Sequence, residues 1–448
     1  MSEKFRIDNG GLINRNKKIS FKFNGKKYFG YEGDTLASAL IANGVHLVGR
    51  SFKYHRPRGF FGAGVDEPYA IVQMNRNNEV DPNVRATEQE LFEGLEAKSV
   101  NCWPNVDFDI GAINNFLGKF FPAGFYYKTF MWPRSFWYKV YEPIIRKAAG
   151  FGAASIKHDK ERYEHKYEYC DLLITGSGPS GLASAYAAAQ NGAKVILAED
   201  KSRFGGSLLT SEVTIGNQSG KEWAEKIISE LKSMPNVVVK NRSQVFGYYD
   251  HNMLVMSERI SDHLPKTEKY SPKQRLWYIR AKEVIISSGS IERPLVFGNN
   301  DTPGVMLSSA AKEYLKIYGV LVGKKPLVFT NNDSGYETAI EFKKNGIDPI
   351  VLDTRKDPNS EIIKEAKELN INIKNSYVVV AAKGYKKVNS ADIAKISDDK
   401  KNINNIENIK CDCICVSGFW TPTIHLASQS GNKTKFNEEI DAFIPGQS

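Results

Sequence analysis

Gly176-Ser177-Gly178-Pro179-Ser180-Gly181 is the stretch of this chain whose residue types and spacing could do chemistry. Glycines in the order Gly-x-Gly-x-x-Gly build a phosphate cradle: Gly176 permits a tight turn, Gly178 lets the backbone approach a pyrophosphate, and Gly181 lets a helix pack closely on a strand. The helix opening there turns free N–H groups and the positive end of its dipole toward an anion. Glu199 lies twenty-three residues after Gly176, placed to accept hydrogen bonds from a ribose. An acid there would repel a 2′-phosphate, which favours NAD or FAD over NADP. Gly205-Gly206-Ser207 either wraps the cofactor or is an ordinary glycine turn.

The elements needed to position these residues are legible. Asp171 to Thr175 reads as a buried parallel strand, Leu182 to Asn191 as a helix that Gly192 stops, and Lys194 to Ala198 as the next strand. A second βαβ pattern runs from Pro326-Leu327-Val328-Phe329 through a helix, Tyr336 to Lys344, to a strand, Pro349 to Asp353. Its turn, Thr330-Asn331-Asn332-Asp333-Ser334-Gly335, keeps only the last glycine. Asn332 puts a side chain where a pyrophosphate would approach, so this half is expected to be scaffold. Val284 to Gly289 reads as the exit from the first half, and Cys415 to Pro422 as the return to it. The expected fold is therefore α/β, a two-dinucleotide-binding Rossmann-like fold with the second half inserted in the first.

Ahead of it, Ile19 to Phe23 and Lys27 to Phe29 alternate around Asn24-Gly25, a type I′ hairpin signal. A helix from Thr35 to Asn43, ended by Gly44, and a strand from Tyr69 to Met74 complete a small β-grasp pattern. The expected domains are 1–105, an aromatic-rich helical linker over 106–166, a first Rossmann-like domain over 167–298 and 416–448, and a second over 299–415. The charged run His158 to Lys166 reads as linker or exposed helix.

Composition removes several classes. The formal charge is +10, but the lysines are interspersed with acids, so nucleic-acid binding is not expected. The aromatic stretch Phe116 to Tyr141, including Phe120, Phe121, Phe125, Tyr126, Tyr127, Phe130, Trp132, Phe136, Trp137 and Tyr138, is broken by Lys119, Pro122, Lys128, Pro133 and Arg134. A membrane span needs about 20 uninterrupted apolar residues, so the stretch is expected to pack on another domain or subunit. Five cysteines form no disulfide framework and include no redox Cys-x-x-Cys, which removes disulfide reductases. Cys411, Cys413 and Cys415 alternate along a strand, match no metal-ligand spacing and read as buried. No metal site and no catalytic residue emerges: His425, after Thr421-Pro422, either stands near a cofactor or is structural, and His46, His55 and His158 show no partner in the sequence. The start, Met1 to Arg6, lacks the apolar run of a signal peptide, and a reducing cytoplasm is expected.

Val48-Gly49-Arg50-Ser51-Phe52-Lys53-Tyr54-His55-Arg56-Pro57-Arg58-Gly59 and Ala63-Gly64-Val65-Asp66-Glu67-Pro68 resemble the N-terminal domain of the alpha subunit of heterotetrameric sarcosine oxidase. Phe329 to Ser334 and Val416 to Pro422 fit the same family. The resemblance implies a [2Fe-2S] ferredoxin-like domain without its cluster, since no cysteine precedes Cys102. It implies NAD rather than FAD in the dinucleotide fold, contacted by Gly176, Gly178, Ser180, Gly181, Glu199, Asp200, Lys201, Ser207 and the region of Val245. It also implies beta, gamma and delta subunits, with FAD and FMN in the wider complex and the flavin chemistry on a partner. Such a complex converts sarcosine, O2 and tetrahydrofolate to glycine, 5,10-methylenetetrahydrofolate and H2O2. A subunit of a related opine or amine oxidase or cyanide synthase, or a non-catalytic scaffold stabilised by NAD, are the alternatives. Family alpha subunits are about twice this length, with a folate-binding C-terminal half. That half, and the last strand of the first Rossmann half, are expected to be missing here.

Overall fold

Strong local signals set the frame of the computed structural model, which describes residues 3–446 apart from 77–78, 121–123, 125–129, 150–151, 153, 266–269, 398 and 400. The chain divides into two compact units, Met1–Asp159 with Pro294–Gly418, and Lys160–Arg293 with Phe419–Ser448.

In the first unit, β1 (Asn14–Phe23) and β2 (Lys26–Glu32) form the hairpin. Asn24 and Gly25 take φ of 51° and 77°, as a type I′ turn demands. Thr35 caps α1 (Leu36–Ala42), whose residues are all buried. With β3 (Ile71–Arg76), β4 (Glu79–Arg85) and β5 (Glu96–Ser99) the sheet order is β2-β1-β5-β3-β4, and β1 runs parallel to β5. This is a β-grasp sheet. Of the aromatic stretch beyond it, Phe116, Phe120, Trp132 and Tyr138 are exposed, while Phe121, Phe125, Tyr126 and Tyr127 lie outside the described residues.

The second unit opens with β6 (Tyr163–Thr175), thirteen residues long. Its first turn of sequence corrects the expectation of a linker or exposed helix over His158 to Lys166, because Tyr163 to Lys166 are strand. The reason is non-local. Glu164 pairs with Arg275 at 2.9 Å, and Tyr167 stacks on Tyr278 at 5.0 Å, both from the parallel neighbour. After β6 come α2 (Pro179–Gln190), β7 (Val195–Ala198), α3 (Gly220–Ser233), β8 (Val237–Lys240), β9 (Ser243–Tyr249), β10 (Met253–Arg259) and β11 (Gln274–Ile286). The sheet order is β8-β7-β6-β11-β10-β9, the first four strands parallel. Leu172, Ile174, Leu182, Leu197, Ile227 and Leu231 fill the space between sheet and helices.

The inserted half belongs to the first unit. It comprises β12 (Val305–Leu307), α4 (Ser308–Tyr318), β13 (Pro326–Thr330), α5 (Ser334–Lys344), β14 (Ile350–Asp353), α6 (Glu361–Glu368) and β15 (Asn372–Asn375). A three-stranded antiparallel sheet follows, β16 (Tyr377–Lys383), β17 (Ser390–Ile396) and β18 (Ile403–Ile409), before β19 (Cys413–Ser417). The parallel sheet has the order β12-β19-β13-β14-β15. Arg56 grips Asp301 with two bonds of 2.7 and 2.6 Å, and Arg58 adds a third of 2.5 Å, so the β-grasp domain is pinned to this half. Among the described residues no helix is long and apolar enough to cross a membrane.

Candidate dinucleotide site

The glycine loop runs from the end of β6 into α2, in the context that the spacing requires. Gly176 has φ of +97°, and a Cβ there would meet the Ser287 carbonyl oxygen at 2.3 Å. A Cβ on Gly181 would lie 1.9 Å from the Gly176 oxygen, so strand and helix close on each other only with glycine there. Gly178 differs. It is the N-cap of α2, with Pro179 behind it, and its side-chain position faces open space with nothing within 4 Å. A pyrophosphate fits such a cradle, beside the free N–H groups of a twelve-residue helix. Gly206 approaches the loop from beyond β7, its would-be Cβ 3.0 Å from the Gly178 Cα, while Gly205 N–H donates to the Ser177 carbonyl at 3.1 Å. The Gly205-Gly206 turn therefore packs on the phosphate loop, with Ser207 exposed just after it.

Glu199 sits at the end of β7, buried. One oxygen accepts from the Ser177 N–H at 2.9 Å and hydroxyl at 2.5 Å, and the other from the Lys201 N–H at 3.0 Å. The Glu199 carboxyl also shares a side-chain hydrogen bond with Asp200, so two acids stand together at the end of the strand. Burial, with Asp200 alongside, pushes the Glu199 carboxyl up to about 7, against the bonds from Ser177 and Lys201. The main chain on both sides is clasped: Glu199 N–H donates to Lys240 O and Glu199 O accepts from Ser243 N–H. The second clasp sets the start of β9 beside the acid, with Val245 two residues along.

Of the residues singled out from the sequence, Gly176, Gly178, Gly181 and Glu199 thus come together, Ser180 lies in the first turn of α2, and Asp200 and Lys201 follow the acid. Val245 lies two residues beyond Ser243 and packs against the cluster that includes Ile196 and Ala198 of β7. Sequence reasoning gave no role to Ser177, which links loop to acid, although it stands inside the motif. It also missed two histidine contacts. His55 Nδ1 lies 2.6 Å from Asp109, and His46 lies 3.2 Å from Lys387, where burial and then that lysine lower its pKa to about 3. Both pairings join residues far apart in sequence.

The second half has the same strand–loop–helix path with a different filling. Asn332 is buried, donates to Asn331 Oδ1 at 2.9 Å and to the Ser417 carbonyl and hydroxyl at 3.2 Å, and accepts from Ser334 N–H at 2.9 Å. The acid at the end of β14, Asp353, accepts from Tyr336 at 2.8 Å and pairs with Arg355 at 2.8 Å. Cys413 and Cys415 lie fully buried in β19, with Cys411 buried just before it. Burial pushes Cys102 up to about 11, and Cys170 and Cys411 up to about 12.

These features define a nucleotide-dependent oxidoreductase fold. Residues 170–442 match the pyridine nucleotide-disulphide oxidoreductase family, and the chain belongs to it. The resemblance to sarcosine oxidase alpha subunits holds over the whole sequence: the chain is 45% identical to the sarcosine oxidase subunit alpha of Rhizobium meliloti (strain 1021), over 99% of its own length and 44% of that protein. It is 29% identical to the same subunit of Corynebacterium sp. (strain U-96), over 97% of its length and 41% of that protein. The chain thus spans less than half the length of these curated relatives. Among solved structures, L-proline dehydrogenase from P. horikoshii shares the fold, with a TM-score of 0.64 at 20% identity, covering 100% of this chain and 68% of that one. Residues 16–102 match a 2Fe-2S iron-sulfur cluster binding domain. Their residues do not fit a cluster, because Cys102 is the first cysteine of the chain and four thiolates are needed.

Proposed function

We propose that this chain is the NAD-holding part of the alpha subunit of a sarcosine oxidase complex. The observation that carries the reading is the open Gly178 cradle at the α2 N-terminus with Glu199 at the end of β7, in a chain 45% identical to such a subunit. Gly176, Gly178, Ser180 and Gly181 hold the pyrophosphate, and Glu199, Asp200 and Lys201 hold the adenosine ribose. Ser207 and the region of Val245 line the remainder. The complex, with its beta, gamma and delta subunits, oxidises sarcosine with O2 and passes the one-carbon unit to tetrahydrofolate bound outside this segment. Flavin on a partner supplies the redox chemistry when bound. This chain contributes binding and orientation, and no residue of it is assigned a catalytic role. The test is the cofactor that the purified chain releases on denaturation. A colourless protein releasing NAD is expected, and a yellow protein releasing FAD overturns the NAD assignment.

A further inference from the structure

The β-grasp domain encloses an anion of its own. Glu67 is 1% exposed and lies in the loop that leads into β3. Its carboxylate gathers four backbone N–H groups. One oxygen accepts from Phe61 at 2.6 Å and Gly62 at 2.8 Å, where the loop begins. The other accepts from Tyr69 at 2.6 Å and Ala70 at 2.9 Å, where it ends. Buried carboxylates ordinarily face a cation. Among the described residues none pairs with this one, and burial pushes the carboxyl up against the four N–H bonds alone. Converging N–H dipoles of this kind make an anion nest.

The same loop grips the inserted half. The Phe61 carbonyl accepts from the Leu307 N–H at 2.8 Å, at the end of β12. The Gly62 carbonyl accepts from the hydroxyl of Tyr314, in α4, at 2.9 Å. The peptide group joining Phe61 to Gly62 therefore works on both sides, its N–H on Glu67 and its carbonyl on Leu307. Such a chain of hydrogen bonds is polarised by the charge at its end. Residues 16–102 match a 2Fe-2S iron-sulfur cluster binding domain, and a cluster draws hydrogen bonds onto its sulfurs. Inside those residues, Glu67 is the anion that backbone N–H groups surround.

We propose that the loop from Phe61 to Ala70 is a carboxylate-binding cage whose resident ligand is the chain's own Glu67, and that its filling positions the β-grasp domain on the inserted half. The geometry selects the ligand class. Each oxygen of the carboxylate meets a pair of adjacent N–H groups, so the cage takes an anion with two oxygens on one carbon. Without the Glu67 side chain it is a site for a free monocarboxylate. Glu67→Ala removes the γ-carbon and the carboxyl group, which are the heavy atoms of acetate. The cage is independent of whether the glycine loop takes NAD.

Acetate rescue of the 448-residue chain tests this. Thermal unfolding of the native chain, Glu67→Ala and Glu67→Gln is compared in about 0.1 M sodium acetate and in sodium chloride of equal ionic strength, at a pH where acetate is ionised. Both variants are expected to melt below the native chain, because N–H groups lose their acceptor in one and face an amide NH2 in the other. Acetate should raise the melting temperature of Glu67→Ala by about 3–6 °C and leave the native chain and Glu67→Gln, whose cages are full, unchanged. It should also slow exchange of the Leu307 amide in Glu67→Ala at least ~10-fold, a recovery that a merely loosened loop would not show. Equal responses to acetate and chloride, equal gains in all three proteins, or a Glu67→Ala chain as stable as the native one overturn the proposal. Folding of Glu67→Ala in acetate alone supports it. If that variant folds in neither salt, Glu67→Gln decides: a lowered melting temperature supports the cage, and a native one overturns it.

Discussion

Beside the N-terminus of α2 the first half leaves open space at Gly178, while the second half fills the matching turn with Asn332, tied to Ser417 across the sheet. At the end of the next strand the contrast repeats. Glu199 meets Ser177, the Lys201 N–H and Asp200, none of them a cation, but Asp353 is held by Tyr336 and Arg355. Winding order alone therefore does not make a dinucleotide site. The difference rests on one missing Cβ and on whether an acid already has a permanent cation.

The largest effect expected from breaking this contrast is at Gly178. Gly178→Trp projects from a Cβ position with no protein atom within 4 Å, so the fold should persist by circular dichroism while NAD affinity falls at least ~100-fold, about 2.7 kcal/mol. Loss of the fold instead would show that the cradle is structural. Next come the packing glycines. Gly181→Ala drives a methyl to 1.9 Å from a backbone oxygen and should cost about 1–3 kcal/mol in denaturant unfolding, whereas Gly335→Ala meets the Thr330 Cβ at the longer distance of 2.6 Å and should cost less. Equal losses would erase the distinction.

Glu199→Gln carries a smaller, pH-dependent effect. A carboxyl whose folded pKa lies above its unfolded value favours folding while protonated. Its stabilisation is complete below about 4.5 and is lost as pH rises to about 7. Melting temperature should therefore decline from pH 4.5 to 7 more steeply in the native chain than in the variant, and NAD should bind the variant about tenfold more weakly at pH 8. Parallel pH profiles would remove Glu199 as the titrating group. The mildest change is expected from Asn332→Gly, with about 1 kcal/mol lost through its hydrogen bonds and still one NAD per chain by calorimetry. A second equivalent bound would mean that Asn332 alone closes the second half.

Much of this was legible in the sequence because its causes are local. Asn24-Gly25 dictates its hairpin, Thr35 and Gly44 bracket α1, and the glycine spacing locates β6, α2 and β7. What stayed hidden depends on distant partners. Tyr163 to Lys166 reads as linker or exposed helix until Arg275 and Tyr278 arrive from β11, more than a hundred residues away. The sheet of β16, β17 and β18 has no chemical motif to announce it, and the Ser177 contact with Glu199 forms only when β6 and β7 pair.

The suppressed thiols carry a practical consequence. Alkylating reagents attack thiolate; burial holds Cys102, Cys170 and Cys411 far from that form near neutral pH, and a hydrogen bond with Cys415, then burial, does so for Cys413. Cys170 begins the buried half of β6, while Cys413 lies within β19, so the two Rossmann-like halves each contain a silent label. Pulsed alkylation with mass spectrometry would then time the opening of each half separately, without any engineered probe.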